Sequence, residues 1–139
     1  MLERKIIKLR NKVIKRTKEI LNNKHKYVIL DTETTGLREN DVLLQIGIID
    51  LDGNILMDTL IKPTKKKSFD STSTDIHGIS METVKDAPTF LSIYKDFKDV
   101  IGKKEVLIYN EPYDARIIEQ TAEQDGFKLK SFNGTCNYL

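Results

Sequence analysis

The chain has 139 residues, 39% of them hydrophobic and 32% charged, with a formal net charge of +2; that suffices for one domain with one core and not for two. No apolar run approaches the roughly 18 residues that cross a bilayer, and the N-terminus lacks the uncharged stretch of a signal peptide, so a cytoplasmic location is expected. Cys136, the only cysteine, excludes an internal disulfide and a cysteine metal cluster.

The small net charge conceals an asymmetry. Residues 1–26 hold ten basic and two acidic side chains, a net charge of +8, which leaves −6 on the remainder. A basic arm on an acidic body suggests a polyanion for the arm and cations for the body. Within the arm, residues 1–25, Leu2, Ile6, Leu9, Val13 and Ile20 recur at helical spacing, and Ile7, Ile14 and Leu21 widen the stripe. This predicts an amphipathic helix with a cationic opposite face. Such a helix could dock on its own domain, pair with another helix, lie on an anionic membrane or track phosphates. His25, beyond the break at Asn22-Asn23, reads as an exposed linker residue.

The body, residues 26–139, begins with the apolar run Tyr27 to Leu30, which continues into Asp31-Thr32-Glu33-Thr34-Thr35-Gly36-Leu37. A continuous apolar run reads as a buried central strand. Residues two apart on a strand share a face, so Asp31 and Glu33 project side by side. Paired carboxylates at the end of such a strand repel each other unless a cation or proton lies between them, and hard oxygen donors suit Mg²⁺ or Mn²⁺. Taken alone, an Asp-x-Glu is also compatible with a turn residue followed by a solvated one.

A loop at 38–41 leads to a second strand, Val42 to Leu51. Asp52-Gly53 supplies the hairpin turn to a third, Ile55 to Ile61, since Asp-Gly accommodates the positive φ that such turns need. Three consecutive strands form an antiparallel meander. Lys65, Lys66 and Lys67 follow in a basic loop, either a solvated turn or a phosphate contact. Short helical turns are expected at Ser71 to Ile76 and after Ser80, with His77-Gly78 between them. Pro88 opens a helix carrying Phe90, Leu91, Tyr94, Phe97 and Ile101, which Gly102 ends. A fourth strand, Glu105 to Tyr109, precedes a helix opened by Pro112 and stopped at Gly126. Leu129 to Leu139 reads as the beginning of one more strand. The order predicts a mixed sheet with helices on its faces, an α/β architecture. If the fourth strand lies parallel to the first, Asp114 arrives at the same edge as Asp31 and Glu33.

In these motifs the chain resembles the DnaQ-like, or DEDD, 3′-to-5′ exonucleases of ribonuclease H-like fold, which include bacterial proofreading enzymes. Asp31 to Leu37 is similar to the family's first motif and Tyr109-Asn110-Glu111-Pro112-Tyr113-Asp114 to its second. Gln45-Ile46-Gly47, Asp50-Leu51-Asp52-Gly53, Ile76-His77-Gly78-Ile79 and Ala87-Pro88-Thr89-Phe90 fall between them in the family's order. The resemblance covers about residues 26 to 138 and implies phosphodiester hydrolysis with two divalent ions, Mg²⁺ or Mn²⁺. It implies that Asp31 bridges the ions, Glu33 holds one, and Asp114 orients metal or water. It also implies that Thr34, Thr35, Gly36 and Leu37 contact the terminal nucleotide with His77 and Asn110 nearby, although His77 is equally readable as a satisfied turn residue. Nucleic-acid 3′ ends, DNA in preference to RNA, and a polymerase or other replication protein are the implied partners.

The sequence departs from the family in three places. Tyr109 and Tyr113 stand where histidine and phenylalanine are common, and little effect is expected from either. The third motif, a histidine and an aspartate on a C-terminal helix, has no counterpart: no histidine follows His77, and Thr135 to Leu139 resembles the strand before that helix. The resemblance therefore implies a chain that stops within its own fold and a steep loss of rate for these 139 residues. The competing reading is an inactive or weakened domain that holds nucleic-acid ends or a polymerase. A membrane or coiled-coil anchor, carried by the arm, is a third.

Overall fold

The structure, a computed structural model, describes residues 1–65 and 71–129. Lys66 and Lys67 of the basic loop and the strand expected over Leu129 to Leu139 fall outside the described residues, apart from Leu129 itself. The chain opens with α1 (Leu2–Asn22), and a short 3-10 turn leads into β1 (Tyr27–Thr34). β2 (Leu43–Ile49) and β3 (Ile55–Leu60) complete the meander. Gly53, at φ +86°, makes the hairpin turn, and the Asp50 carboxylate accepts hydrogen bonds from the backbone N–H groups of Asp52 and Asn54.

Two short helices, α2 (Ser71–His77) and α3 (Met81–Val84), precede α4 (Phe90–Ile101), β4 (Glu105–Leu107) and α5 (Glu111–Gln124). Thr89 caps α4 by accepting from the Ser92 N–H, and Gly102 ends it at φ +57°, a conformation that costs glycine little. β4 is two residues shorter than expected because Tyr109 and Asn110 already form the turn into α5.

The strand order is β3-β2-β1-β4, with β1 antiparallel to β2 and parallel to β4. This is the mixed sheet expected, and the parallel β1–β4 pair makes both strands run toward the same edge. One sheet face is closed by α4 and α5: Val28, Leu30, Ile46, Ile48 and Val106 pack there against Phe90, Phe97, Ile101, Ile117, Ile118 and Ala122. All of these are essentially inaccessible to solvent, so this face holds most of the hydrophobic stabilisation. The opposite face is covered by described residues at its two ends. Ile20 of α1 packs with Tyr27, Leu107, Ile29 and Leu51 at one, and Ile79 and Val84 pack with Leu44 and Leu60 at the other.

Candidate functional site at the end of the central strand

Alternation along β1 sends Val28 and Leu30 into the core and Asp31 and Glu33 to the opposite face. The register places Asp31 across from Gly47, and Gly47 across from Asp58; Glu33 faces Gln45. Gly47 has no side chain, so the line from Asp31 to Asp58 passes over bare backbone. A depression of about 240 Å³ results, lined by Asp31, Glu33, Gln45, Gly47, Met57 and Asp58 among others. Gln45 Nε2 donates to Asp58 Oδ1 at 2.7 Å, which fixes the far wall. A methyl group on Gly47 would come no closer than 4.0 Å to its nearest neighbour, the Asp31 carbonyl oxygen, so packing does not require glycine here.

Asp114 is placed by α5. Pro112 lies in its first turn, and the Asn110 carbonyl accepts from the N–H groups of Tyr113 and Asp114. The carboxylate is 5% exposed and accepts from the Thr32 hydroxyl at 2.5 Å. Burial pushes the Asp114 carboxyl above its ordinary range, the Thr32 hydrogen bond opposes this, and the negative charges of Asp31 and Glu33 add to the rise. All three acids therefore share one end of β1. Thr32, however, alternates to the helix-covered face, and Asp114 is turned toward it. Among the described residues no three His, Cys, Asp or Glu side chains form a single metal-holding group. The donor set that fits a hard divalent cation is the Asp31–Glu33 pair. Mg²⁺ commonly takes one or two carboxylates and fills its other positions with water and substrate phosphate.

Three of the four residues expected to contact a terminal nucleotide are turned inward. Thr34 is buried, its hydroxyl 3.0 Å from the Gly36 carbonyl and 2.6 Å from the Tyr113 hydroxyl, to which it donates when the tyrosine donates to Gly36. Thr35, fully buried, donates to Asp41 Oδ1 and accepts from the Val42 N–H. Gly36 is buried in the same turn, whereas Leu37 is 72% exposed beside it. His77 spends both ring nitrogens on backbone: Nδ1 accepts from the Ile79 N–H, which leaves Nε2–H to donate to the Thr34 carbonyl at 3.0 Å. That matches the satisfied turn histidine and holds α2 against the end of β1. Asn110 is exposed at the start of α5 and makes no side-chain cap.

Tyr113, from which little was expected, has a structural task. Its hydroxyl donates to the Gly36 carbonyl at 2.8 Å while meeting Thr34, so it ties α5 to the turn after β1, and burial pushes its pKa up. Thr32 and Asp58 also went unnoticed. The signal for Thr32 was its place between two acids, and for Asp58 the pairing of β3 with β2 at a glycine.

A family model described as "Exonuclease", RNase_T, matches residues 28–139. An uncharacterised exonuclease, CP81, of Escherichia phage 186 is 38% identical over 112 residues, covering 81% of this chain and 55% of that protein. The DNA polymerase III epsilon subunit of Buchnera aphidicola is 30% identical over 129 residues, covering 86% of this chain and 54% of the subunit. The chain thus spans about half the length of these relatives. Among solved structures, E. coli exonuclease I in complex with a dA16 oligonucleotide superposes with a TM-score of 0.65 at 14% identity, covering 81% of this chain and 27% of that one. Likeness at that identity shows the shared ribonuclease H-like fold.

Proposed function

The chain belongs to the exonuclease family that the RNase_T model describes, and from that premise we propose that it supplies the metal-binding carboxylates of a 3′-to-5′ exonuclease acting on nucleic-acid ends, DNA in preference to RNA. The observation that carries this reading is the pair Asp31 and Glu33, side by side on the open sheet face above the Gly47 depression.

Asp31 and Glu33 would hold divalent ions, Mg²⁺ or Mn²⁺, and Asp114 would join them on turning from Thr32. Divalent ions held there would supply charge stabilisation at both the attacking and the leaving oxygen of a phosphodiester. The chain's own residues concentrate negative charge where a cation is wanted and hold Asp114 in one orientation through Thr32. Exposed Leu37 offers an apolar surface for a terminal base next to the acids. The inward-turned Thr34 and Thr35 serve this by fixing the turn that presents Leu37, and not by touching the nucleotide.

One observation favours a binding role for these residues without cleavage. Neither described histidine stands as a general base at the acids: His77 is committed to backbone, and His25 lies before the start of β1, at the opposite end of the strand from Thr34. The deciding experiment measures Mn²⁺ binding by titration calorimetry and nucleotide release from a 3′-labelled oligonucleotide, for the wild type and for Asp31→Asn. Mn²⁺ binding and slow release that both vanish in the variant support the exonuclease. Mn²⁺-dependent oligonucleotide binding with no release supports the binding role. Equal Mn²⁺ affinity in both proteins rejects the site.

A further inference from the structure

α1 stands out because its apolar stripe does not end where its contact with the body ends. Ile20 is buried on Tyr27 and Leu107, and Arg16 reaches Glu105 at 3.0 Å with its guanidinium 5.6 Å from the Tyr27 ring centre. Those contacts anchor the last turns. Toward the N-terminus the same row runs on into solvent: Val13 is 56% exposed, Leu9 64%, Ile6 57% and Leu2 73%. Exposed apolar rows of this length mark interaction surfaces.

The row's spacing and charges specify the occupant. Leu2, Ile6, Leu9 and Val13 are separated by four, three and four residues. β-branched Ile6, Val13 and Ile20 occupy one heptad position, and Leu2 and Leu9 occupy the other. That combination favours two-stranded helix pairing, with the partner seated on this row. Along the exposed part the flanking positions are Glu3, Lys5, Arg10 and Lys12. In a parallel pair of two copies Lys5 would meet Arg10 of the other copy, and in an antiparallel pair Lys5 would meet Lys12 while Glu3 meets Arg10, so charge opposes self-pairing in the first direction and gives it no net gain in the second. Among the described residues Lys5, Arg10 and Lys12 make no ion pair, while α1 is tied to the acidic body at its C-terminal end through Arg16.

A flat anionic membrane suits the surface less well. Glu3 and Arg10 lie between the Leu2–Val13 row and the second apolar row of Ile7, Ile14 and Leu21, so pressing the whole apolar sector into lipid would bury two charges. A helix on the first row leaves both at its rim. A nucleic acid would neutralise the cations but leave the apolar row in water.

We propose that the exposed half of α1 is a docking surface for an amphipathic helix of a partner protein whose apolar row is flanked by acidic side chains. This surface is separate from the carboxylate site and does not depend on the exonuclease reading.

The test uses the full chain and a fluorescent synthetic helical peptide with Ile or Val and Leu in the two core heptad positions and Glu in both flanking positions. A control peptide carries Lys in place of Glu. Binding is followed by anisotropy for the wild type and for the double substitution Leu9→Ser and Val13→Ser, both at exposed positions, with circular dichroism confirming an unchanged melting curve. The expected result is binding of the Glu peptide that weakens at least about tenfold in the variant and falls with added salt, and no binding of the Lys peptide. Equal affinity of wild type and variant, or equal binding of the two peptides, overturns the proposal. So does stripe-dependent dimerisation of the chain alone in sedimentation equilibrium, or stripe-dependent partition onto phosphatidylserine vesicles in preference to the peptide.

Discussion

One face of the sheet is closed by α4 and α5, and the other carries Asp31, Glu33, Gly47 and Asp58 with described cover at its ends. β1 serves both faces, so neighbouring residues on it answer to different demands. Leu30 is 1% exposed among aromatic and branched side chains, and Asp31, the next residue, is exposed beside a second carboxylate. The first face is optimised for burial. The second gathers like charge around an open depression, an arrangement that serves a ligand better than it serves stability.

Substituting these two neighbours gives the largest expected contrast. Leu30→Ala should cost about 2–5 kcal/mol of stability, read by urea or thermal unfolding, because a cavity opens in a packed core. Asp31→Asn should leave metal-free stability within about 0.5 kcal/mol or raise it, since one of the like charges on that face is removed. Its effect belongs to function: loss of Mn²⁺ affinity and a fall of about a hundredfold or more in any nucleotide release. If Asp31→Asn unfolds the chain, the division of labour between the faces is wrong.

Tyr113→Phe probes the seam where the two faces meet. The tyrosine hydroxyl joins Thr34 and the Gly36 carbonyl, so its removal should cost about 1 kcal/mol and loosen the turn that carries Leu37. Unchanged stability would show that phenylalanine serves as well, as the sequence alone suggested.

Asp114 gives a smaller effect with a defined pH signature. Its carboxyl sits above its ordinary value of 3.8 chiefly through burial. Above pH 3.8 the folded chain therefore holds a proton longer than the unfolded chain does, and stability falls as pH rises through that window. Asp114→Asn keeps the acceptor for Thr32 and removes the buried charge. It should raise the melting temperature at pH 7 and flatten that part of the pH dependence. A bound divalent ion, which favours the ionised form, should reverse the wild-type trend.

Much of this was readable from the chain because periodicity survives folding. The meander and the helix stop at Gly102 follow from local chemistry, and so does the shared face of Asp31 and Glu33; α4 starts beyond Pro88, behind the Thr89 cap, and the parallel placement of β4 was only a condition of the reading. What was not readable depends on which way a side chain turns. Motif spacing brought Thr34 and Thr35 to the site but could not say that Asp41 and Tyr113 would claim their hydroxyls. It brought Asp114 to the right strand end but did not show its commitment to Thr32 across the sheet. For α1 the amphipathic pattern announced a helix, and only the fold shows that the body takes Ile20 and leaves Leu2 to Val13 uncovered.

Gly47 offers the finest test, because there the two faces can be separated without charge. A glycine within a strand weakens it through lost side-chain packing and greater freedom of the unfolded chain. Here the added methyl would meet nothing closer than 4.0 Å. Gly47→Ala should therefore change stability by no more than about 0.5 kcal/mol, and in the favourable direction. The same methyl would stand on the floor of the depression between Asp31 and Asp58. If that floor is kept bare for an approaching ion or phosphate, Mn²⁺ or oligonucleotide affinity should fall in calorimetry although the melting curve does not. Should affinity stay constant as stability rises, the bare floor serves no ligand, and the working part of the open face narrows to Asp31 and Glu33.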